Sequence, residues 1–274
     1  MSKKKIAVLG SGKVGRLVTY WLGSCGDYAV TAVDLDKGAA EAALITGDGS
    51  ALPDASAVAC DLEDEAAVAA AIRGHDYVLS CAPFHCNVGI ARAAKAEGVH
   101  YMDLTEDVAT TKTVAELAQG AGTAFIPQCG LAPGFITIVA HALAQSFDEL
   151  DTIKMRVGAL PKYPHNRLNY NLTWSTAGLI NEYRHPCEAV RDGKAVVLPP
   201  LEDHEVITID GMEYEAFNTS GGLGSMAETY DGKVRNLDYK SIRYPGHRDL
   251  MQFLLGDLGL KGDQGNLKDI MRRS

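Results

Sequence analysis

The sequence predicts an α/β protein: a doubly wound parallel sheet, followed by a second α+β domain containing a mainly antiparallel sheet. Three observations predict it. Over residues 1–130 short β-branched runs alternate with alanine-rich stretches of about three helical turns, the rhythm of a parallel sheet covered on both faces. After Gly134 the rhythm changes to strand patterns broken by Asp192-Gly193 and Asp210-Gly211, pairs that supply the positive φ angles of hairpin turns. The length of 274 residues accommodates two modest domains at roughly 150 residues each, here 1–130 and 131–274.

Each element follows from its pattern. Strands are expected at Lys5–Gly10, Ala29–Asp34, Ala57–Asp61, Tyr77–Cys81, Tyr101–Leu104 and Thr123–Pro127, where runs of apolar and β-branched residues end in turn formers. Helices are expected between them, at Val14–Ser24, Lys37–Ile45, Glu65–Arg73, Val88–Gly98 and Val108–Gly120. In the second half a helix is expected over Phe135–Phe147, and strands over Thr152–Val157, Glu188–Leu198, Glu205–Phe217 and Val234–Ile242, the second and third folded back at their Asp-Gly pairs.

Composition narrows the partners. Hydrophobic residues are 46% and charged residues 22%, the balance of a globular chain rather than a disordered or fibrous one. A net charge of −9 repels phosphate backbones and anionic membranes, so neither nucleic acid nor a membrane is an expected partner. The longest apolar stretch, Phe135–Ala144, contains Thr137 and His141 and is too short to span a bilayer. Met1–Lys5 is basic, but the apolar run Ile6–Leu9 is too short for a signal peptide. Six cysteines without a CxxC pair indicate neither a disulfide framework nor a zinc ribbon. A soluble cytoplasmic protein without a metal is expected.

The chemistry begins at Gly10-Ser11-Gly12-Lys13-Val14-Gly15, directly after the first strand. The first glycine permits a tight turn, the second lets backbone approach a pyrophosphate, and the third lets helix pack on strand. The N–H groups at the helix start then face the anion. Asp34, 24 residues after Gly10, lies near the usual offset of about 20 for a carboxylate that accepts the ribose hydroxyls. It would repel a 2′-phosphate, and Lys37 is a flexible amine rather than an arginine clamp. NAD is therefore expected over NADP. The alternative is that Asp34 or Asp36 caps the next helix. Asp61 and Leu62 are expected beside the adenine, and Cys81 with the walls Ala82 and Pro83 at the nicotinamide end.

Titratable groups cluster at the carboxyl ends of the later strands, where ligands of such sheets sit. His85 and Asp103 are the candidates for proton transfer. His85 also reads as a solvated loop histidine or a cap. Asp103 ends an otherwise apolar strand, where burial requires compensation. Cys129 reads either as a thiolate nucleophile, which would make a semialdehyde dehydrogenase, or as a small buried residue. A non-catalytic sensor that binds NAD is a reading from another class.

The glycine fingerprint together with Cys129-Gly130-Leu131-Ala132-Pro133-Gly134, Thr173-Trp174-Ser175 and Lys240-Ser241-Ile242-Arg243-Tyr244-Pro245-Gly246-His247 resembles the saccharopine dehydrogenase family over almost the whole chain. Its saccharopine- and lysine-oxidising members are the most similar. The resemblance implies a Rossmann domain and a second domain whose sheet lines the substrate cleft and forms a homodimer. It also implies nicotinamide-dependent oxidation of an amine of an amino acid to an imine that water opens. Phe84, His85, Asp103, Cys129 and Gly130 match the family's substrate region, and Trp174 and Arg243 match motif positions in its second domain, where the resemblance implies substrate binding. Arg243 is the expected partner of the substrate carboxylate, ahead of Arg184 and Arg167, because a guanidinium binds carboxylate bidentately. Trp174 is either a lid or a core anchor. Members of the family continue for many residues past the position of Ser274 and return to the first domain, so the chain is expected to be either a piece of a longer protein or a short member.

Overall fold

The computed structural model describes residues 3–172 and 174–273; Thr173 of the quoted tripeptide lies outside the described residues. The chain divides into two compact units that meet between Gly130 and Leu131.

The first unit alternates strand and helix: β1 (Lys4–Leu9), α1 (Lys13–Ser24), β2 (Tyr28–Asp34), α2 (Lys37–Ala42), β3 (Ala55–Ala59), α3 (Glu65–Ile72), β4 (Tyr77–Ser80), α4 (Asn87–Glu97), β5 (His100–Asp103), α5 (Val108–Ala118) and β6 (Phe125–Ile126). The strands are parallel in the order β3-β2-β1-β4-β5-β6. This is the doubly wound order whose switch point lies between β1 and β4. Residues of β1 alternate between two cores. Ala7 and Leu9 pack with Val68, Ile72, Ile90 and Val114, while Ile6 and Val8 pack with Val18 and Leu22. Both faces are thereby covered, as the continuous apolar run requires. Aspartates start the helices: Asp36, Asp64 and Asp107 accept N–H groups from the first turns of α2, α3 and α5.

The second unit contains α6 (Phe135–Ala144), β7 (Thr152–Val157), α7 (Thr176–Glu182), β8 (Cys187–Arg191), β9 (Lys194–Leu198), β10 (Glu205–Ile209), β11 (Met212–Asn218), α8 (Met226–Tyr230), β12 (Asn236–Arg243), α9 (His247–Gln252) and α10 (Gln264–Arg273). Its sheet runs β10-β11-β12-β8-β9 with antiparallel neighbours, and β7 lies parallel to β12. Both Asp-Gly pairs form two-residue hairpin turns, with φ of 48° and 78° at Asp192 and Gly193 and 51° and 79° at Asp210 and Gly211. Along β12 successive residues serve opposite faces. Leu237 and Tyr239 enter an apolar cluster with Met155 and Val190. Asp238 and Lys240 join an ionic one, in which Asp238 accepts from Arg156 at 2.6 Å and Arg191 at 3.0 Å, and Lys240 donates to Glu205 at 3.2 Å.

Candidate functional site

The turn between β1 and α1 has the stereochemistry that an anion cradle needs. Gly10 is left-handed (φ +94°), and a Cβ there would stand 2.9 Å from the Cys81 carbonyl oxygen. A Cβ on Gly15 would fall within the Gly10 carbonyl oxygen, so helix and strand touch backbone to backbone. Gly12 differs: a Cβ there meets nothing within 4 Å. It caps α1 without a side-chain acceptor, and the first turn carries no acid. The helix start is therefore open and electropositive. Lys13 and Val14 begin the helix on its exposed side.

Asp34 is tied to this turn. One carboxylate oxygen accepts the Ser11 N–H at 2.6 Å and the other the Asp36 N–H at 3.0 Å, while Asp36 takes the capping role on α2. The cap of α2 is therefore Asp36, one of the two aspartates that the sequence offers for it. Asp61 follows β3, is exposed, and accepts the Glu63 N–H at 3.0 Å. Leu62 packs against the core. Burial raises the Cys81 thiol to about 12, so it is an inert wall beside the half-buried Ala82 and the exposed Pro83. These residues fit a dinucleotide whose pyrophosphate lies at the α1 N-terminus.

At the carboxyl edge the expected residues separate. Phe84 is half-buried, and His85 is exposed, with its Nε2 3.2 Å from Glu63. Ligand atoms of Glu63, His85 and the buried Cys86 lie within 4.8 Å of one another.

Asp103, expected to serve as a base, is fully buried with both oxygens occupied. Oδ2 accepts the Tyr101 hydroxyl at 2.7 Å, and Oδ1 accepts the N–H groups of Thr105 and Gln128, each at 3.0 Å. Burial raises its pKa against the opposing pull of those donors. The compensation that the sequence demanded comes from the unit itself, and Asp103 holds the turn in which Gln128 takes a left-handed φ of 64°, surroundings that favour a structural role over that of a base.

Cys129 follows that turn, with Gly130 next at the end of the unit. The Cys129 thiol donates to the Ile126 carbonyl at 3.1 Å. Burial of the sulfur and the Asp103 charge raise its pKa although the residue is exposed overall. That environment favours the thiol over the thiolate a nucleophile requires.

Sequence reasoning missed Glu106. It lies three residues beyond β5, half-buried, and its Oε1 is enclosed without a hydrogen-bond partner. Burial, reinforced by Asp107 and Asp103, raises its carboxyl to about 7. The available signal was the acidic pair Glu106-Asp107 after an apolar strand.

In the second unit Arg243, expected to clamp a carboxylate, is only 4% exposed. Its Nε donates to the Tyr183 hydroxyl at 2.9 Å and one terminal nitrogen to the Ile242 carbonyl at 2.9 Å. The guanidinium lies over the Tyr170 ring, 4.8 Å from its centre, with Glu182 at 3.8 Å. Two of its donors are bonded within the unit and its charge lies beside Glu182 and the Tyr170 and Tyr183 rings, surroundings that favour a structural role over the carboxylate clamp that the sequence suggests. Trp174 is an anchor, packed on the same core with its indole donating to the Tyr170 hydroxyl at 3.0 Å. Arg184 instead keeps a buried Nε without a hydrogen-bond partner, and Arg167 is exposed.

The doubly wound order and the open glycine turn define a dinucleotide-binding protein with a mixed-sheet partner unit. Comparisons narrow the class. The family model of the saccharopine dehydrogenase NADP binding domain matches residues 6–174, and that of the saccharopine dehydrogenase C-terminal domain matches 130–272. The chain belongs to the saccharopine dehydrogenase family, whose cofactor is a nicotinamide dinucleotide.

It is 26% identical over 197 residues to the NADP(+)-dependent, L-glutamate-forming saccharopine dehydrogenase of Schizosaccharomyces pombe, covering 70% of this chain and 43% of that protein. It is 23% identical over 274 residues to the corresponding protein of Pyricularia oryzae, covering 96% and 59%. The fold matches apo saccharopine dehydrogenase (L-Glu forming) from Saccharomyces cerevisiae with a TM-score of 0.74 at 20% identity, covering 95% of this chain and 59% of that one. The chain thus spans about half the length of the curated relatives it matches.

Proposed function

We propose that the protein is an NAD-dependent dehydrogenase that oxidises a C–N bond of a lysine-derived amino acid, saccharopine or lysine, to an imine that water hydrolyses. The open cradle at Gly12 carries the reading, and the relatives' names supply the substrate class. When bound, the oxidised nicotinamide accepts hydride from the carbon beside the amine nitrogen. The chain's own tasks are then to hold the dinucleotide at α1, to bind the substrate carboxylate and to take the amine proton. Arg184, with its unpartnered donor, suits the carboxylate better than Arg243. The acidic surface and the family resemblance favour a cytoplasmic homodimer with a small-molecule amino-acid substrate and no nucleic-acid or membrane partner.

The relatives are NADP enzymes by name, yet Asp34 favours NAD. Its two backbone donors hold the carboxylate beside the glycine turn, and a negative charge held there disfavours a 2′-phosphate. Steady-state oxidation of saccharopine and of lysine with each cofactor is expected to give higher kcat/KM with NAD. Asp34→Ala should erode the preference by about tenfold or more, roughly 1.4 kcal/mol. An unchanged ratio would remove Asp34 from cofactor selection, and silence with both substrates would defeat the substrate claim.

A thioester route through Cys129 has the opposite signature. Cys129→Ser is expected to slow turnover by less than about tenfold, whereas deleting a true nucleophile costs about a millionfold. The same assay, repeated after thiol alkylation, checks it.

A further inference from the structure

We propose that Glu106 is the catalytic base that takes the amine proton, an assignment that rests on the dehydrogenase reading above. Three acids stand together at the end of β5 and the start of α5, and two of them are occupied. Asp103 accepts from Tyr101, Thr105 and Gln128. Asp107 accepts the Thr110 N–H at 2.7 Å as the cap of α5. Glu106, between them in sequence, keeps a carboxylate oxygen buried and without a hydrogen-bond partner. A residue retained only for structure has no use for that arrangement, because a buried acceptor left unpaired is destabilising. A base does, because the open oxygen is the atom that receives the proton. The position is the carboxyl edge of a parallel sheet, where ligands of doubly wound folds sit.

The electrostatics agree with the geometry. Burial, opposed by the residue's own backbone N–H and reinforced by the negative charges of Asp107 and Asp103, brings the Glu106 carboxyl to about 7. A base with that pKa is half ionised at neutral pH and holds a proton once it has taken one. The amine nitrogen of the substrate arrives protonated and gives one proton to Glu106. The neutral amine then loses hydride from the adjacent carbon to the oxidised nicotinamide, and the nitrogen lone pair forms the C=N bond. The resulting iminium takes up water and separates into carbonyl and amine. His85, exposed and paired with Glu63, is not required for any of these transfers.

Two measurements on the full chain test the assignment. Carboxyl-carbon NMR of protein labelled at glutamate should show one resonance titrating near 7, which Glu106→Gln removes; this readout needs neither cofactor nor turnover. In steady-state oxidation, kcat/KM should fall on the acid side with the same midpoint. Glu106→Gln should lower kcat by about a hundredfold or more and abolish that limb, while calorimetric affinity for NAD stays unchanged and Glu106→Asp restores part of the rate. A near-neutral resonance that persists in Glu106→Gln, or an active wild type whose variant keeps its rate and pH profile, would overturn the base alone. A wild type that binds NAD but oxidises no amine would overturn the dehydrogenase reading, and the base with it.

Discussion

Gly15→Ala is expected to unfold the first unit or to leave it severely destabilised, whereas Gly12→Ala, three residues away, should fold normally and fail to bind cofactor. The contrast follows from what each new methyl group meets. At Gly15 the Cβ would overlap the carbonyl oxygen of Gly10, with the carbonyl carbon at 2.9 Å and the Cys81 Cβ at 3.4 Å. The obstacle is backbone, held by the Gly10 N–H donating to the Val33 carbonyl at 2.7 Å, so no rotamer change relieves it. Overpacking in a well-packed core costs about 1–3 kcal/mol where side chains can adjust; here they cannot, and a loss of about 3 kcal/mol or more is expected. At Gly12 the new methyl meets nothing within 4 Å, and the φ of −69° suits any residue. Replacing glycine by alanine at such a cap costs a few tenths of a kcal/mol, up to about 1. The methyl nevertheless stands where the pyrophosphate must approach the N–H groups of α1. Urea denaturation and calorimetric NAD titration of the two variants separate these effects. A stable Gly15→Ala, or a Gly12→Ala that binds NAD with wild-type affinity, would contradict the assigned geometry.

Elements whose specification is local were legible in the sequence. Each strand of the first unit is a short apolar run, each Asp-Gly pair forces its hairpin turn, and the glycine roles are set within six residues. Pairings made at a distance were not legible. The parallel contact of β7 with β12 joins segments some eighty residues apart, and a strand pattern does not name its partner. Helices α7 to α10 are brief and stand on tertiary packing, as Leu179 and Leu267 show by sharing one core. The surroundings of two site residues were hidden for the same reason. Asp103 and Arg243 were read as reactive because each is a charge in an apolar run. That pattern also describes a buried charge satisfied by its neighbours, and only coordinates reveal that Gln128 and Tyr183 supply the partners. The acidic pair Glu106-Asp107 is visible in sequence, but the unpaired oxygen that sets Glu106 apart from Asp107 is not.

The segment from Arg243 to His247, distinctive in sequence, is the polar centre of the second unit, and its substitution should be costly in a pH-dependent way. The donors and acceptors form one ordered chain. Arg243 Nε donates to the Tyr183 oxygen at 2.9 Å, which leaves the Tyr183 O–H to donate to His247 Nε2 at 3.0 Å. His247 Nδ1 then donates to the Leu168 carbonyl at 2.8 Å, which accepts only. The imidazole is therefore neutral with its proton on Nδ1. Removing the bridging hydroxyl in Tyr183→Phe strands the Arg243 donor and the His247 acceptor in a buried core. At about 1–3 kcal/mol for each buried unpaired group, the loss is roughly 2–5 kcal/mol.

Burial, aided by the Arg243 charge, depresses the His247 pKa from 6.5 to about 3. Below pH 6.5 the unfolded chain binds a proton that the native state refuses. Its contribution to stability is therefore complete above pH 6.5 and declines by about 1.4 kcal/mol per pH unit toward pH 3. Glu106 acts oppositely between 4.5 and about 7, because its raised pKa lets the native state hold the extra proton. The wild-type profile thus mixes both, and the informative quantity is the difference from His247→Gln, whose side chain does not titrate. Urea denaturation from pH 4.5 to 8 should show the variant less stable at pH 8 and the gap closing by about one proton's slope on acidification. A gap constant across that range would mean that His247 carries its proton in the folded protein, and the Tyr183–His247 bond would then run from the His247 Nε2–H to the Tyr183 oxygen.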